Sequence, residues 1–237
     1  IIVGTDNALI RSEKNKIKLD TAITTGTLDP TPASSTPPAA AQNSILQAVK
    51  DAQVETTANG KIKVTSGYKV YGVTAGFDGG SGASLTTAGD IDMTARESIG
   101  LAVSINSTGT NTAANVKLTG KKNTAIYNSG TFNQEGNITV DGEKSNGIFN
   151  KGSFTLTGNT LITATNGANG LYNSTGGSFT DPDKLTINVT DTTKKGVGVF
   201  SNSDVTLNGI KVNVAGGASA VVANMNKITL NNNSKIS

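Results

Sequence analysis

The sequence predicts an all-β chain wound as a parallel β-helix, a β-solenoid, with coils of about 22–28 residues and a short helical excursion near the N-terminal side. Three observations carry that expectation. First, one block returns at near-constant spacing. It reads Thr124-Ala125-Ile126-Tyr127-Asn128-Ser129-Gly130-Thr131-Phe132, then Asn146-Gly147-Ile148-Phe149-Asn150-Lys151-Gly152-Ser153-Phe154, then Asn169-Gly170-Leu171-Tyr172-Asn173-Ser174, reaching Phe179 after a small insertion. Looser copies hold Val199-Phe200 and Val221-Val222, and degenerate ones hold Gly100-Leu101 and Gly72-Val73. The anchors Val73, Leu101, Ile126, Ile148, Leu171, Val199 and Val221 are thus 28, 25, 22, 23, 28 and 22 residues apart. Second, apolar residues alternate in pairs such as Val116/Leu118, Ile138/Val140, Phe154/Leu156, Ile187/Val189 and Val212/Val214, which puts each pair on one face of a strand. Third, 28 Gly, 34 Thr, 26 Asn and 20 Ser make up nearly half of the 237 residues, while Ile, Val, Leu and Phe supply only 54. Stacked coils bury a narrow core that no single coil buries alone, so a thin apolar content suffices. Thr, Val, Ile, Asn and Gly are poor helix formers. A β-sandwich is the structural rival, but it does not require one block to return at a fixed spacing.

Along the chain, residues 1–28 carry apolar clusters (Ile1-Ile2-Val3, Ala8-Leu9-Ile10, Ile17/Leu19) that read as the strands of one or two N-terminal coils. Residues 29–59 read as an excursion. Four of the five prolines fall within 29–41, a loop of extended, polyproline-like character. The pattern Ser44-Ile45-Leu46-Gln47 matches a capping box, and Ile45, Ala48, Val49 and Ala52 fall at helical spacing, so a short helix is expected over 44–55, packed on the solenoid flank. Residues 60–237 form the main β-helix, with Phe132, Phe154, Phe179, Val205 and Ile228 stacked inside it. The chain opens on Ile1 and ends on a strand-like Asn233-Ser234-Lys235-Ile236-Ser237, so it reads as an excerpt continuous with further coils of a longer protein.

Composition narrows the chemistry. The chain has neither His nor Cys, so it holds no Ser-His or Cys-His nucleophile pair, no thiolate or imidazole zinc site and no disulfide. Net charge is +3 and the basic residues are scattered, which gives no footprint for nucleic acid. No apolar run is long enough to span a membrane as a helix. No cofactor is expected and no enzymatic activity. Gly79-Gly80-Ser81-Gly82-Ala83-Ser84 resembles the calcium nonapeptide but carries Ser84 where that motif needs Asp, and it occurs once, so it reads as a turn and no metal site is assigned. Asp90/Asp92 and Asp181/Asp183 are the acid pairs available for glycan cleavage, but no second pair converges on either, and they read as solvated acids.

Two sets of aligned residues remain. Asn128, Asn150 and Asn173 share a turn, and at a coil spacing of about 4.8 Å their amides form a hydrogen-bonded ladder. Ser201 and Ala223 hold this register in the last copies, so the ladder shifts or stops there. Tyr127, Phe149, Tyr172 and Phe200 also align. If the anchors beside them face inward, these rings face outward, as a binding strip for a stacked sugar ring or a receptor loop. The alternatives are a row covered by a loop and a row in the opposite, inward phase.

The Gly-Ile-aromatic-Asn-x-Gly-Thr/Ser-Phe units resemble those in the passenger domains of large type V autotransporter adhesins, the fusobacterial kind in particular. The resemblance is good over 122–177 and fades in both directions. It implies a right-handed β-helix displayed on the bacterial cell surface, anchored in the outer membrane through a C-terminal barrel that this sequence does not contain, or secreted. It implies a rigid stalk or adhesin module whose partners are host cell-surface proteins or glycans, or other bacteria. The shared motif is the structural repeat, so no receptor-binding residue carries over. Two other readings compete. One is a β-helical polysaccharide-degrading enzyme, disfavoured by the lack of converging acids. The other is an ice-binding solenoid, which needs a regular Thr-x-Thr face; Thr155/Thr157 and Thr163/Thr165 do not recur coil after coil.

Overall fold

The computed structural model describes residues 8–28, 43–77, 80–181, 183–191 and 195–237. They form 27 strands and, among the described residues, no helix. Three parallel sheets wrap one core. Sheet A runs from Ala8–Ser12 to Ser219–Ala223 and is nine strands deep; sheet B runs from Lys16–Leu19 to Ser178–Thr180 and is seven deep; sheet C runs from Ile23–Leu28 to Lys235–Ile236 and is nine deep. Val205–Asn208 and Ile228–Asn231 pair with each other in the last coils. Each strand pairs with its counterpart one coil away, so the sequence visits A, B and C in turn. This is a β-helix, as the repeat spacing requires.

The register places like residues on like. In sheet A, Leu46, Val73, Leu101, Ile126, Ile148, Leu171 and Val199 form one continuous inner column. In sheet C, Ile62, Ile91, Val116, Ile138, Ile162, Ile187 and Val212 form another. All of these are buried. At about 1.5–3 kcal/mol for each fully buried Val, Leu, Ile or Phe side chain, the columns are the main stabilising term. Sheet B contributes Phe132, Phe154 and Phe179, stacked at 5.3 Å between successive centroids. Val205, which pairs with Ile228 in the separate two-stranded sheet of the last coils, is buried, while Ile228 is half-buried.

The recurring glycine before each sheet A anchor has a steric reason. A Cβ at Gly147 would lie 2.6 Å from the carbonyl oxygen of Gly170 and 2.8 Å from Ile162 Cγ2, and Gly72, Gly100, Gly170 and Gly198 meet the next coil's carbonyl in the same way. The chain turns this corner with its backbone pressed against the next coil. The corner from sheet C to sheet A uses left-handed residues, Glu97, Lys122 and Lys144, at φ of 52°, 56° and 59°. The buried polar residue that follows each ties the coils together: Ser98 N donates to Asn123 Oδ1 and Asn123 N to Ser145 Oγ, both at 3.0 Å.

The expected helix over 44–55 is absent. Asn43–Ala48 is a strand of sheet A, paired with Ala8–Ser12 on one side and Val70–Ala75 on the other, and Gln53–Thr56 is a strand of sheet B. Lys50 and Asp51 between them have φ of +23° and +61°, incompatible with a continuous helix. Local periodicity was overridden by two flanking strands that offer ladders on both edges and a place for Leu46 in the anchor column. The four residues at helical spacing, Ile45, Ala48, Val49 and Ala52, are all buried, but in a coil of the solenoid and not on its flank. Residues 43–59 therefore belong to the β-helix. The proline stretch over 29–41 lies outside the described residues, as do Ile1-Ile2-Val3 and Gly79.

Candidate functional site

Alternation along sheet A fixes where the aromatic row points. Ile126, Ile148, Leu171 and Val199 are fully buried, and the next residues, Tyr127, Phe149, Tyr172 and Phe200, are half-buried on the outer face. In-register pairing sets one ring above another. Tyr127 and Phe149 lie 5.5 Å apart with planes at 6°, Phe149 and Tyr172 4.8 Å at 17°, and Tyr172 and Phe200 4.8 Å at 29°. Lys151 Nζ sits 5.5 Å from the Phe149 ring centroid, and Asn202 Nδ2 donates to the Tyr172 hydroxyl at 2.8 Å.

This stacking changes what the row can bind. Phe149 and Tyr172 have a ring on each side, so their faces are already covered and their edges point outward. A sugar ring stacked face-on finds no free face within the row. A partner meets a ledge of ring edges, which carry the positive part of the aromatic quadrupole and suit carbonyl or carboxylate oxygens and aliphatic side chains.

The row extends further than the repeat indicated. Ala102 holds the aromatic position one coil before Tyr127, yet this outward-facing residue is fully buried. Phe77, from the turn after Val70–Ala75, lies 6.3 Å from Tyr127 and 5.9 Å from Tyr71, and so takes the place that Ala102 leaves. Burial, and then the neighbouring Tyr127, push the Tyr71 hydroxyl above its ordinary pKa, so it stays neutral. The signal in the sequence was the small residue Ala102 in an otherwise aromatic slot.

The Asn ladder is internal. Asn128 Nδ2 donates to Asn150 Oδ1 and Asn150 Nδ2 to Asn173 Oδ1, both at 2.9 Å, and Asn173 Nδ2 reaches Ser201 Oγ at 3.4 Å. Ser201 thus ends the inner ladder, and an outer one starts a residue later, where Asn224 Nδ2 donates to Asn202 Oδ1 at 2.8 Å.

The acid pairs occupy different settings. Asp90 and Asp92 line a hollow of about 300 Å³ together with Lys61 and Lys63. Burial works against ionisation of Asp90, but the backbone and side-chain amides of Asn115, with Lys61 at 3.4 Å, outweigh it and hold the carboxyl below its usual range. Asp181 is buried just after a sheet B strand, where its Oδ1 accepts from Lys184 N at 2.9 Å and its Oδ2 has no partner among the described residues. Burial pushes the Asp181 carboxyl up; the N–H groups of Lys184 and Leu185 oppose this, and Asp183 adds to it. A raised carboxyl favours the neutral form in the folded chain. The resulting destabilisation is absent below the unfolded-state pKa of about 3.9 and grows as pH rises from there through the folded-state value. Asp181→Asn keeps the Oδ1 acceptor without the charge. It should therefore melt at a higher temperature than the parent at pH 7, with the gain vanishing below the ordinary carboxylate range. A variant less stable than the parent at pH 7 would refute this.

No family model, curated protein or solved structure shows a significant match to this chain.

Proposed function

We propose that this chain is a segment of a surface-displayed bacterial adhesin of the autotransporter-passenger kind, a rigid β-helical stalk that carries a contact strip and does no covalent chemistry of its own. The observation that supports this reading most is the outward stack of Tyr127, Phe149, Tyr172 and Phe200. A ledge held by in-register pairing loses little entropy when a partner docks. Its ring edges fit a loop of a host or bacterial surface protein better than the face of a sugar. Lys151 and Asn202 lie beside the rings and supply a polar rim.

The test is cell attachment by the purified chain. Truncating a central anchor of an interface commonly costs about 1–4 kcal/mol in binding. Phe149→Ala combined with Tyr172→Ala should reduce binding to host or bacterial cells at least tenfold, the equivalent of about 1.4 kcal/mol. The coils should stay folded by circular dichroism, because both residues lie outside the inner columns. A folded double variant that attaches as well as the parent would sink the reading.

A further inference from the structure

The central strand of the ring ledge, Asn146–Asn150, has a cation at each end. Lys144 stands exposed at the corner two residues before it, and Lys151 follows it with Nζ 5.5 Å from the Phe149 ring centroid. Lys195 repeats the first of these positions, two residues before Val197–Ser201. None of the three lysines has an ion-pair partner among the described residues. The acids of the same corners are engaged. Glu143, next to Lys144, lies 3.5 Å from Lys121. Asp191 is buried and accepts from Gly196 N at 2.7 Å. Asp204 accepts from Lys227 N, on the next coil, at 2.8 Å.

The hydrogen-bonding groups of the ledge divide in the same sense. Asn146 Oδ1 accepts from Asn169 Nδ2 at 3.0 Å, and Asn169 Oδ1 from Val197 N at 3.1 Å. Asn202 Oδ1 accepts from Asn224 Nδ2 at 2.8 Å. The Tyr172 hydroxyl accepts from Asn202 Nδ2, so its proton is left to donate. Asn146 Nδ2 and the Tyr127 hydroxyl have no hydrogen-bond partner among the described residues. The amide oxygens are thus used within the solenoid, while N–H and O–H groups remain for a partner. The outward ring edges add to this, because they carry the positive part of the aromatic quadrupole.

Ammonium groups, spare donors and ring edges all select oxygen acceptors, and carboxylates most strongly, since hydrogen bonds between charged partners are the strong ones. We propose that the partner recognised by this ledge is an acidic segment of a surface protein, extended along the strand direction. Its carboxylates meet Lys144 and Lys151, and an aliphatic side chain between them rests on the edges of Phe149 and Tyr172. At about 3.3 Å per residue, a segment matching the strand between the lysines carries its two acids roughly five to seven residues apart. A neutral loop would leave both cations without a partner. A sulfated glycan would meet the lysines but has no aliphatic side chain to lay on the ring edges, and the stacked rings offer it no face. Complementary charge also steers the encounter, so attachment should weaken as salt rises. The proposal rests on the adhesin reading of sheet A and adds to it the chemistry of the partner.

The experiment uses the whole 237-residue chain and two readouts. One is binding to a soluble random copolymer of Glu and Ala, with a copolymer of Lys and Ala as the opposite charge. The other is attachment to cells. The chain should bind the acidic copolymer at low salt and not the basic one. Lys144→Glu with Lys151→Glu should weaken that binding about tenfold, and attachment with it, at unchanged circular dichroism. The same change of charge on sheet C, Lys117→Glu with Lys211→Glu, should leave both near the parent level. The proposal is overturned if the parent ignores the acidic copolymer or if the two charge reversals weaken binding equally. It is also overturned if cells stripped of surface protein by protease still hold the chain and heparin, a sulfated glycan, displaces it. If the reversal at Lys144 and Lys151 leaves attachment intact while Phe149→Ala with Tyr172→Ala removes it, the adhesin reading stands and the acidic partner falls. If neither pair affects attachment, both fall.

Discussion

Phe154→Ala should cost about 3–5 kcal/mol, the range for emptying a buried aromatic site. Phe154 is fully buried, with Phe132 on one side and Phe179 on the other, each at 5.3 Å between centroids and with nearly parallel ring planes. The truncation removes two stacked pairs, each worth about 0.5–1.5 kcal/mol beyond area burial. The backbone on either side is fixed by ladders to the adjacent coils, so the site cannot collapse to fill the void. Typical domains hold about 5–15 kcal/mol in total, so most of the margin is at stake. A solenoid is also quasi-one-dimensional, which localises the damage. Hydrogen exchange should speed up first in Thr131–Gln134, Ser153–Leu156 and Ser178–Thr180, and denaturant unfolding should lose cooperativity. Phe154→Leu fills much of the space and should retain more than half of the lost stability. A loss below about 1 kcal/mol for Phe154→Ala would show that the coils repack freely, contrary to an interior of native density.

The inner columns were legible in the sequence because each is made of one residue class at one register. Val73, Leu101, Ile126, Ile148, Leu171 and Val199 needed only the spacing of the blocks to be aligned, and the structure pairs them in that alignment. The outward phase of Tyr127, Phe149, Tyr172 and Phe200 was conditional on inward anchors, with a covered and an inward row as alternatives, and the full burial of Ile126, Ile148, Leu171 and Val199 decides it. Residues 43–59 were misread because the evidence for a helix is local and the evidence for a strand is not. Their ladder partners, Ala8–Ser12 and Val70–Ala75, are far apart in sequence, and no periodicity within the segment reports them. Phe77 was missed for a related reason, since it enters the row from a turn and not from the repeat. The orientation of the rings, edge outward, depends on side-chain torsions that residue spacing does not encode.

The Asn ladder makes a sharper prediction than its place in the repeat alone allows, because each amide has a distinct set of partners. Asn150 Nδ2 donates to Asn173 Oδ1 and to the Ser178 carbonyl, both at 2.9 Å, while its Oδ1 accepts from Asn128 Nδ2 at 2.9 Å and from Gly152 N at 3.2 Å. All three Asn side chains are fully buried. Asn150→Leu, nearly equal in size, would strand those four groups in the core, where each unsatisfied donor or acceptor costs about 1–3 kcal/mol. These costs are not additive, and a net loss of at least about 3 kcal/mol is expected, measured as a shift in the denaturant midpoint. Asn150→Asp separates hydrogen bonding from shape. Its carboxylate still accepts from Asn128 and Gly152 but has no proton for Asn173 Oδ1 or the Ser178 carbonyl. The charge is buried, so the folded-state pKa of the new acid rises, and the variant should be unstable at pH 7. Stability should return as pH falls through that raised value, when the protonated acid can donate again. Replacing Asn128, Asn150 and Asn173 together by Leu removes donors and acceptors as a set and should cost less than three times the single change, since fewer groups are left orphaned for each residue replaced. If Asn150→Leu is as stable as the parent, or if Asn150→Asp gains nothing at low pH, the ladder is a by-product of the repeat and not one of the contacts that hold the coils in register.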